Sequence, residues 1–367
     1  MPDIRLLMTA DAAGGIWTYA LETAQALSAR GISTTLAVLG DDPSEAALRE
    51  ARSIAGVEIE LTGLPLDWTA ASASEVTHAG EEIARLSRRT GAGLVQLNAP
   101  AFAADASFAV PTIGALHSCV ATWWEAVHGN VPLPPDLDWR AKLTCAGLNR
   151  VDFAIAPSQT LARQARRLYA LPRAPMVIHN GRSSSDSAPS PTRDIPVLTA
   201  GRLWDQGKNI AALDRAAEHV SFKVGAAGPL QGPNGAEARL NRVEWLGVLA
   251  PAALRDAMSR SSIFVSAALY EPFGLAVLEA AQAGCALVLS DIPTFRELWQ
   301  GAALLVPPSD ARAIAGALNK ITGDAALRGR LSDAARQRAA SYTIDKSADA
   351  LAALMRSLVA EPQRRAS

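Results

Sequence analysis

Short apolar runs alternate with helical stretches over the first half of the chain, stop at a segment rich in Ser, Pro and Asp, and then begin again. Before the break the candidate strands are Ile4–Thr9, Ser33–Leu39, Val57–Leu61, Leu94–Leu97, Thr112–His117, Phe153–Ala156 and Met176–His179. Helical patterns fall between them, notably Trp17–Ala29, Glu75–Arg88, Trp139–Arg150 and Gln159–Tyr169. After the break come Ile195–Ala200, Phe222–Ala226, Val243–Leu246, Ile263–Ser266, Ala286–Ser290 and Leu304–Pro307, and the chain reads as helical from Ala311 onward. Regular strand–helix alternation predicts an α/β fold of parallel sheets covered by helices on both faces. The break then divides the chain into two doubly wound, Rossmann-like domains, 1–182 and 195–344, joined by a linker at 183–194. At 367 residues the chain is long for one core and comfortable for two. Sheets of this kind bind ligands beyond the carboxyl ends of their strands.

Composition narrows the class of partner. Hydrophobic residues make up 49% and charged residues 19%, as in a globular protein that buries its apolar side chains. A net charge of −1 supplies no general field for nucleic acid or an anionic membrane, so no nucleic-acid partner is expected. Residues 1–190 carry 15 Lys+Arg against 19 Asp+Glu and residues 191–367 carry 20 against 17, a modest positive bias in the second half. Cys119, Cys145 and Cys285 lack metal-ligand spacing and cannot all pair, which suits reduced thiols in a cytoplasmic protein. Asp3 and Arg5 interrupt the first apolar stretch, so no signal peptide is read there. No apolar run reaches transmembrane length, although a peripheral membrane contact stays open. Arg163, Arg166 and Arg167 read as a solvated helix face.

The densest chemistry lies at 270–279, Tyr-Glu-Pro-Phe-Gly-Leu-Ala-Val-Leu-Glu. A buried strand precedes it, and Leu275, Val277, Leu278 and Ala281 follow with helical spacing that ends at Gly284. Glu271 then falls on the strand-to-helix loop, and Glu279 about a turn and a half into the helix. Glu279 stands in an apolar run, where an unpaired carboxylate is costly to bury, so some group must compensate it. The amides of Phe273, Gly274 and Leu275 are left over by the helix and form an anion site. Amides for phosphate, flanked by carboxylates for hydroxyls, describe a site for a nucleotide or nucleotide sugar. A second charged loop, Gly201-Arg202-Leu203-Trp204-Asp205-Gln206-Gly207-Lys208-Asn209, follows the strand Ile195–Ala200. Arg202 can grip a phosphate bidentately and Lys208 supplies a point charge. With no metal-binding constellation nearby, these two cations would stabilise a leaving diphosphate.

The Glu271–Glu279 segment resembles the glutamate–seven residues–glutamate motif of retaining glycosyltransferases with the two-domain GT-B fold, particularly glycosyltransferase family 4 (glycosyl transferases group 1). Glu271, Pro272, Phe273, Gly274 and Glu279 all match, and the resemblance covers nearly the whole chain, strongly in 197–300 and loosely before 180. It implies two domains facing a central cleft, with a last helix at about 345–362 returning to the N-terminal domain. It implies that Glu279 binds the donor ribose, that Glu271 binds hydroxyls of the transferred sugar, and that the Phe273–Leu275 amides meet sugar and phosphate. Arg202 and Lys208 resemble the diphosphate-binding loop, with the lysine one residue later than in many members.

Gly14-Gly15 resembles the family's glycine-rich loop, which implies acceptor contact at Gly14 and donor contact at Gly15; a simple tight turn is the alternative. His117 stands where the family places a histidine against the transferred sugar, followed here by Ser118 rather than aspartate; a structural histidine is the alternative. Trp123 and Trp124 are either packing residues or an acceptor platform. Ser158 is a helix N-cap. Asn180-Gly181 matches a family segment, from which Arg182 and Ser183 depart. Gly247 matches a glycine that opens the nucleobase loop, which makes Leu249 a base contact through its backbone.

The implied activity is transfer of a hexose, with retention, from a UDP-, GDP- or ADP-linked sugar to a glycan, lipid or small-molecule hydroxyl. No cofactor and no metal are expected, and Glu271, His117, Arg202 and Lys208 would carry the chemistry. A nucleotide-sugar epimerase or hydrolase, or a silent nucleotide-sugar-binding protein, are the alternatives. A nicotinamide oxidoreductase is disfavoured because no Gly-x-Gly-x-x-Gly follows the first strand.

Overall fold

The computed structural model describes residues 4–12, 15–183 and 193–365, with side chains described up to 360. The chain divides into two compact units, Met1–Glu125 with Asn130–Gly181 and Ile344–Ser367, and Arg182–Thr343 with Ala126–Gly129. Most of the expected linker, 184–192, lies outside the described residues.

In the first unit the strands are β1 (Ile4–Asp11), β2 (Ile32–Leu39), β3 (Val57–Leu61), β4 (Leu94–Leu97), β5 (Thr112–Ala115), β6 (Phe153–Ala156) and β7 (Met176–Val177). They form one parallel sheet in the order β3-β2-β1-β4-β5-β6-β7. The second unit holds β8 (Ile195–Ala200), β9 (Val224–Ala227), β10 (Glu244–Trp245), β11 (Ser261–Ser266), β12 (Ala286–Ser290) and β13 (Leu304–Val306). These too are all parallel, in the order β10-β9-β8-β11-β12-β13. The α/β reading therefore holds: two doubly wound sheets, one in each unit.

Parallel strands need crossover helices, and those helices bury both sheet faces, so the central strands are apolar on both sides. Along β1, Leu6 and Met8 pack with the helix Gly15–Ser28, while Leu7 packs on the other face against the helix Ala73–Arg89. The second sheet repeats the arrangement. Leu198, Phe264, Leu287 and Leu289 meet the helix Leu275–Gln282, whereas Val197, Ile263, Val265 and Val288 face the helices Ile210–Ala217 and Ala311–Gly323. A side-chain period of two decides which neighbour each residue meets.

Three strands are two residues shorter than the apolar runs suggest: β5 stops at Ala115, before His117, and the edge strands β7 and β10 are two residues each. Just past these strands, Leu116, Ile178 and Leu246 each donate one last backbone bond to the neighbouring strand, to Ile155, Ala156 and Ala226, before the chain turns away. The helix Pro135–Arg150 begins earlier than its apolar pattern, because Pro135 occupies the first helical position. Trp123 and Trp124 lie on a helix, Val120–His128, that the sequence pattern does not single out.

The helical C-terminal stretch is three helices, Ala311–Gly323, Ala325–Ala339 and Ile344–Arg365. Asp324 ends the first and caps the second, accepting the Leu327 amide at 2.8 Å. The third belongs to the first unit. There Ala348, Leu351, Ala352 and Met355 join Leu21, Ala24 and Leu27 in one core, and Arg30 bonds Asp349 at 2.7 Å and Asp345 at 3.0 Å.

Candidate active site

Strand order reverses between β8 and β11, and the loops after those two strands carry the charged residues singled out in the sequence. Such a switch point leaves a crevice at the carboxyl edge because the two following helices go to opposite faces.

The loop after β8 is built from polar contacts within itself and with its neighbours. Asp205, nearly buried, accepts the Gly207 amide at 2.8 Å and the Arg202 guanidinium at 3.1 Å, which fixes the short turn Gln206–Lys208. Asn209 takes the left-handed conformation with φ 54°, and its side-chain amide donates to the carbonyls of Ala267, at 2.9 Å, and Pro308, at 2.8 Å. The Gly207 carbonyl accepts the Leu269 and Tyr270 amides at 2.9 and 3.1 Å. Loops after β8, β11 and β13 are thus joined through the Asn209 side chain and the Gly207 carbonyl. The exposed Arg202 guanidinium lies over the Trp204 ring, 5.7 Å from its centre.

The loop after β11 turns into its helix at Gly274, whose φ is 93°. A β-carbon there would meet Glu271, Phe295 and Val277 side chains, each at 3.3 Å, so both backbone angle and space favour glycine. No side chain caps the helix Leu275–Gln282, so its first-turn amides are not closed off by one. Phe273 is buried and meets Tyr342 edge-on, with ring centres 5.6 Å apart.

Each glutamate has a cation. Lys208 Nζ donates to Glu271 Oε2 at 2.6 Å, with 23% and 14% of the two side chains exposed. Arg182 Nη2 lies 2.9 Å from Glu279 Oε1, with exposures of 6% and 17%. The compensation that an apolar setting demands of Glu279 therefore comes from Arg182, which sequence reasoning notes only as a departure from a motif. The signal was partly present: a carboxylate in an apolar run requires some compensating group, though not one of stated kind or place. Asp205 and Asn209 are further site-building residues that sequence reasoning missed; both follow a strand, on the loop where the cations were read.

Leu249, past β10, packs against the same core as Phe273. Gly247, with φ 82°, accepts the Gly228 amide at 2.9 Å, and Trp245 Nε1 donates to the Gly228 carbonyl at 2.9 Å.

In the first unit the order reverses between β1 and β4, and a polar cluster gathers at that edge. The Asn98 side chain donates to the Thr9 carbonyl at 2.6 Å, which leaves its Oδ1 to accept from Gln96 at 2.9 Å and to face His117 Nε2 at 3.2 Å. Nε2 must then carry the proton. Burial pushes the His117 pKa down to about 4, so the ring is neutral at neutral pH and its Nδ1 is an acceptor. Tyr19 packs edge-on to His117 at 4.4 Å and receives a bond from Gln96 at 3.2 Å; burial pushes its hydroxyl up to about 12. Nearby on the chain, Asp11 at the end of β1 accepts from Trp68 at 3.2 Å, and burial together with the Asp11 charge raises Asp67 to about 6.

Gly15 opens the helix Gly15–Ser28, and Gly14 lies outside the described residues. Trp123 and Trp124 are half-buried and tilted together at 6.2 Å, and Trp124 donates to the Val131 carbonyl at 2.8 Å. Ser158 caps the helix Gln159–Leu168 through the Leu161 amide. The three cysteines are free thiols, and burial raises Cys285 to about 12. Among the described residues, no group of three or more His, Cys, Asp or Glu is placed to hold a metal ion, and no helix is long and apolar enough to cross a membrane.

A chain of two doubly wound units has the architecture of the GT-B class of glycosyltransferases. Residues 13–185 match the family described as Glycosyltransferase Family 4, and residues 189–338 match Glycosyl transferases group 1. The chain belongs to this group 1, family 4 type of glycosyltransferase.

Solved structures agree in fold. Sucrose-phosphate synthase of Thermosynechococcus elongatus is 20% identical with a TM-score of 0.81, over 98% of this chain and 100% of its own. HepE of Anabaena, solved with UDP and glucose, is 18% identical with a TM-score of 0.76, over 97% and 100%. WaaG, a glycosyltransferase involved in lipopolysaccharide biosynthesis, is 13% identical with a TM-score of 0.71, over 96% and 99%. No curated protein sequence matches the chain.

Proposed function

We propose that this enzyme transfers a hexose from a nucleoside-diphosphate sugar to a hydroxyl acceptor, with retention of anomeric configuration and without a metal ion. One observation carries the reading: Lys208 and Glu271, from the two loops of the switch point, are in direct contact beside the helix that bears Glu279. A cation for phosphate and carboxylates for hydroxyls then belong to one site.

In this reading Glu279 accepts ribose hydroxyls, Arg202 and Lys208 meet the diphosphate, and Glu271 with the Phe273, Gly274 and Leu275 amides meets the sugar. Backbone near Leu249 reads the base, and Gly15 approaches the donor phosphate. The first unit takes the acceptor, with Gly14, Trp123 and Trp124 as its contacts, while neutral His117 accepts from a sugar hydroxyl through Nδ1. The bond between the anomeric carbon and the phosphate oxygen breaks as the acceptor oxygen attacks on the same face. The acceptor proton passes to the leaving phosphate. Charge growing on that phosphate is met by Arg202 and Lys208, which are positioned before the reaction begins. Glu271 is held by Lys208, which favours its role as an orienting group over that of a nucleophile.

HepE has been solved with UDP-glucose, so UDP-glucose is the first donor to test, followed by GDP- and ADP-linked sugars. Thermal stabilisation by each nucleotide ranks the donors. Turnover over an acceptor panel, with and without EDTA, is followed by release of nucleoside diphosphate, and proton NMR of the product reads its anomeric configuration. Unchanged rates in EDTA and a retained configuration are expected. An inverted product, or activity abolished by EDTA, would overturn the corresponding part of the proposal.

A further inference from the structure

Arg182 is the first residue of the second unit and Thr343 the last of that unit's main segment, and the two pair in a short parallel bridge. The Arg182 amide also donates to the Tyr342 carbonyl at 3.2 Å. Tyr342 is itself fixed: its ring meets Phe273 at 5.6 Å and Trp299 at 6.0 Å, and its hydroxyl donates to the Leu298 carbonyl at 3.4 Å. The guanidinium is therefore presented from an anchored backbone, and it reaches Glu279 at 2.9 Å from a side chain that is 6% exposed.

We propose that Arg182 is a positioning residue for nucleotide recognition, holding Glu279 in the one orientation that accepts ribose hydroxyls. This rests on the reading of Glu279 as the ribose anchor. A carboxylate offers about four acceptor positions on its two oxygens, so the Oε1 contact with the guanidinium does not by itself use up its capacity for hydroxyls. A reoriented Glu279 would lose that capacity. A stabilising role alone explains the pair poorly, because well-packed apolar residues commonly serve a core as well as a buried ion pair does. The partner is also specific to the site, since Glu279 projects from the same helix whose first turn carries the Phe273–Gly274 loop. The inference extends to the two chain segments that enter and leave the second unit, because Arg182 joins both to the ribose-binding carboxylate.

The test compares Arg182→Met and Arg182→Lys with the wild type. The probes are whichever of UDP, GDP and ADP stabilises the wild-type enzyme most and the 2′,3′-dideoxy form of the same nucleotide, measured by titration calorimetry. Loss of hydrogen bonds to a charged carboxylate should cost the wild type about ten- to hundredfold in affinity for the dideoxy form. In Arg182→Met that preference should collapse: the ribonucleotide binds about ten- to hundredfold more weakly, and the dideoxy form as it does to wild type. Arg182→Lys keeps charge but not the planar fork, so it should show an intermediate preference, and it decides the matter if the methionine variant does not fold. A purely structural role would weaken both nucleotides alike and leave the preference intact, which would overturn the proposal. A wild type with no preference for the ribonucleotide would overturn the ribose-anchor reading itself, and this inference with it.

Discussion

Replacing Lys208 with methionine separates the ion pair seen in the structure from the phosphate role proposed for it. The ammonium lies 2.6 Å from Glu271, with 23% and 14% of the side chains exposed. That setting is intermediate between a surface pair, worth about 1 kcal/mol or less, and a buried pair, whose disruption costs about 3–5 kcal/mol. Lys208→Met strands the carboxylate, so a loss of about 2 kcal/mol is expected. For a unit of this size that is roughly 4–8 °C in the unfolding midpoint. Adding Glu271→Gln removes the stranded charge, and the double variant should regain most of the stability. Activity should behave differently. If Lys208 meets the leaving diphosphate, its loss should lower kcat/KM by about 10²–10³-fold, the scale of losing one preorganised donor to developing charge. Glu271→Gln alone should lower kcat while leaving donor binding largely intact, and the double variant should stay at least as slow as Lys208→Met. The assay is a cycle of four proteins, each measured by urea unfolding and by nucleoside diphosphate release. Activity returning along with stability in the double variant would refute the phosphate role and reduce Lys208 to a counter-ion for Glu271.

The first unit should show two opposed pH effects. Burial raises Asp67 from 3.8 to about 6, so the folded state binds its proton more tightly and this contribution to stability is lost as pH rises through 6. Asp67→Asn should therefore stabilise the protein at pH 8, by about 1–2 kcal/mol given its partial exposure. His117 runs the other way: its folded pKa of about 4 lies below the ordinary 6.5, so stability falls as pH drops from 6.5 towards 4, and His117→Gln should flatten that decline. Urea midpoints between pH 4 and 8 read both, and parallel curves for all three proteins would count against them. Asn209→Ala loses two side-chain bonds and places alanine at φ 54°, for a cost of about 2–4 kcal/mol; Asn209→Gly should be about 1 kcal/mol milder, and equal midpoints would argue against backbone strain.

Much of the fold was legible because buried parallel strands are apolar without interruption. Leu6-Leu7-Met8 and Ala286-Leu287-Val288-Leu289 cannot face solvent on either side, and both are strands. Edge strands were over-read by a residue or two at their ends: Ile178 and Leu246 each still donate one backbone bond to the neighbouring strand, to Ala156 and Ala226, but the ladder proper covers two residues in each. The helix Val120–His128 gave no signal because it has neither an acidic first turn nor a polar face spaced at helical period. At the site, the sequence identified which groups carry charge but not how they pair. Lys208 and Glu271 meet only because β8 and β11 are neighbours, and that adjacency is a property of strand order rather than of either loop. Arg182 was hidden further still: its partner was required by the apolar setting of Glu279, yet nothing in the residues around it says where the guanidinium points.

The carbonyl of Gly207, with the Leu269 and Tyr270 amides both on it, has a consequence for how this enzyme could change its substrate. The loop with Arg202 and Lys208 and the loop with Glu271 share one backbone junction. Grafting either loop alone from a relative of different specificity would present that junction with a mismatched partner and displace the other half of the site. Loops 201–209 and 267–274 must be exchanged together, and selection acting on one must carry the other with it.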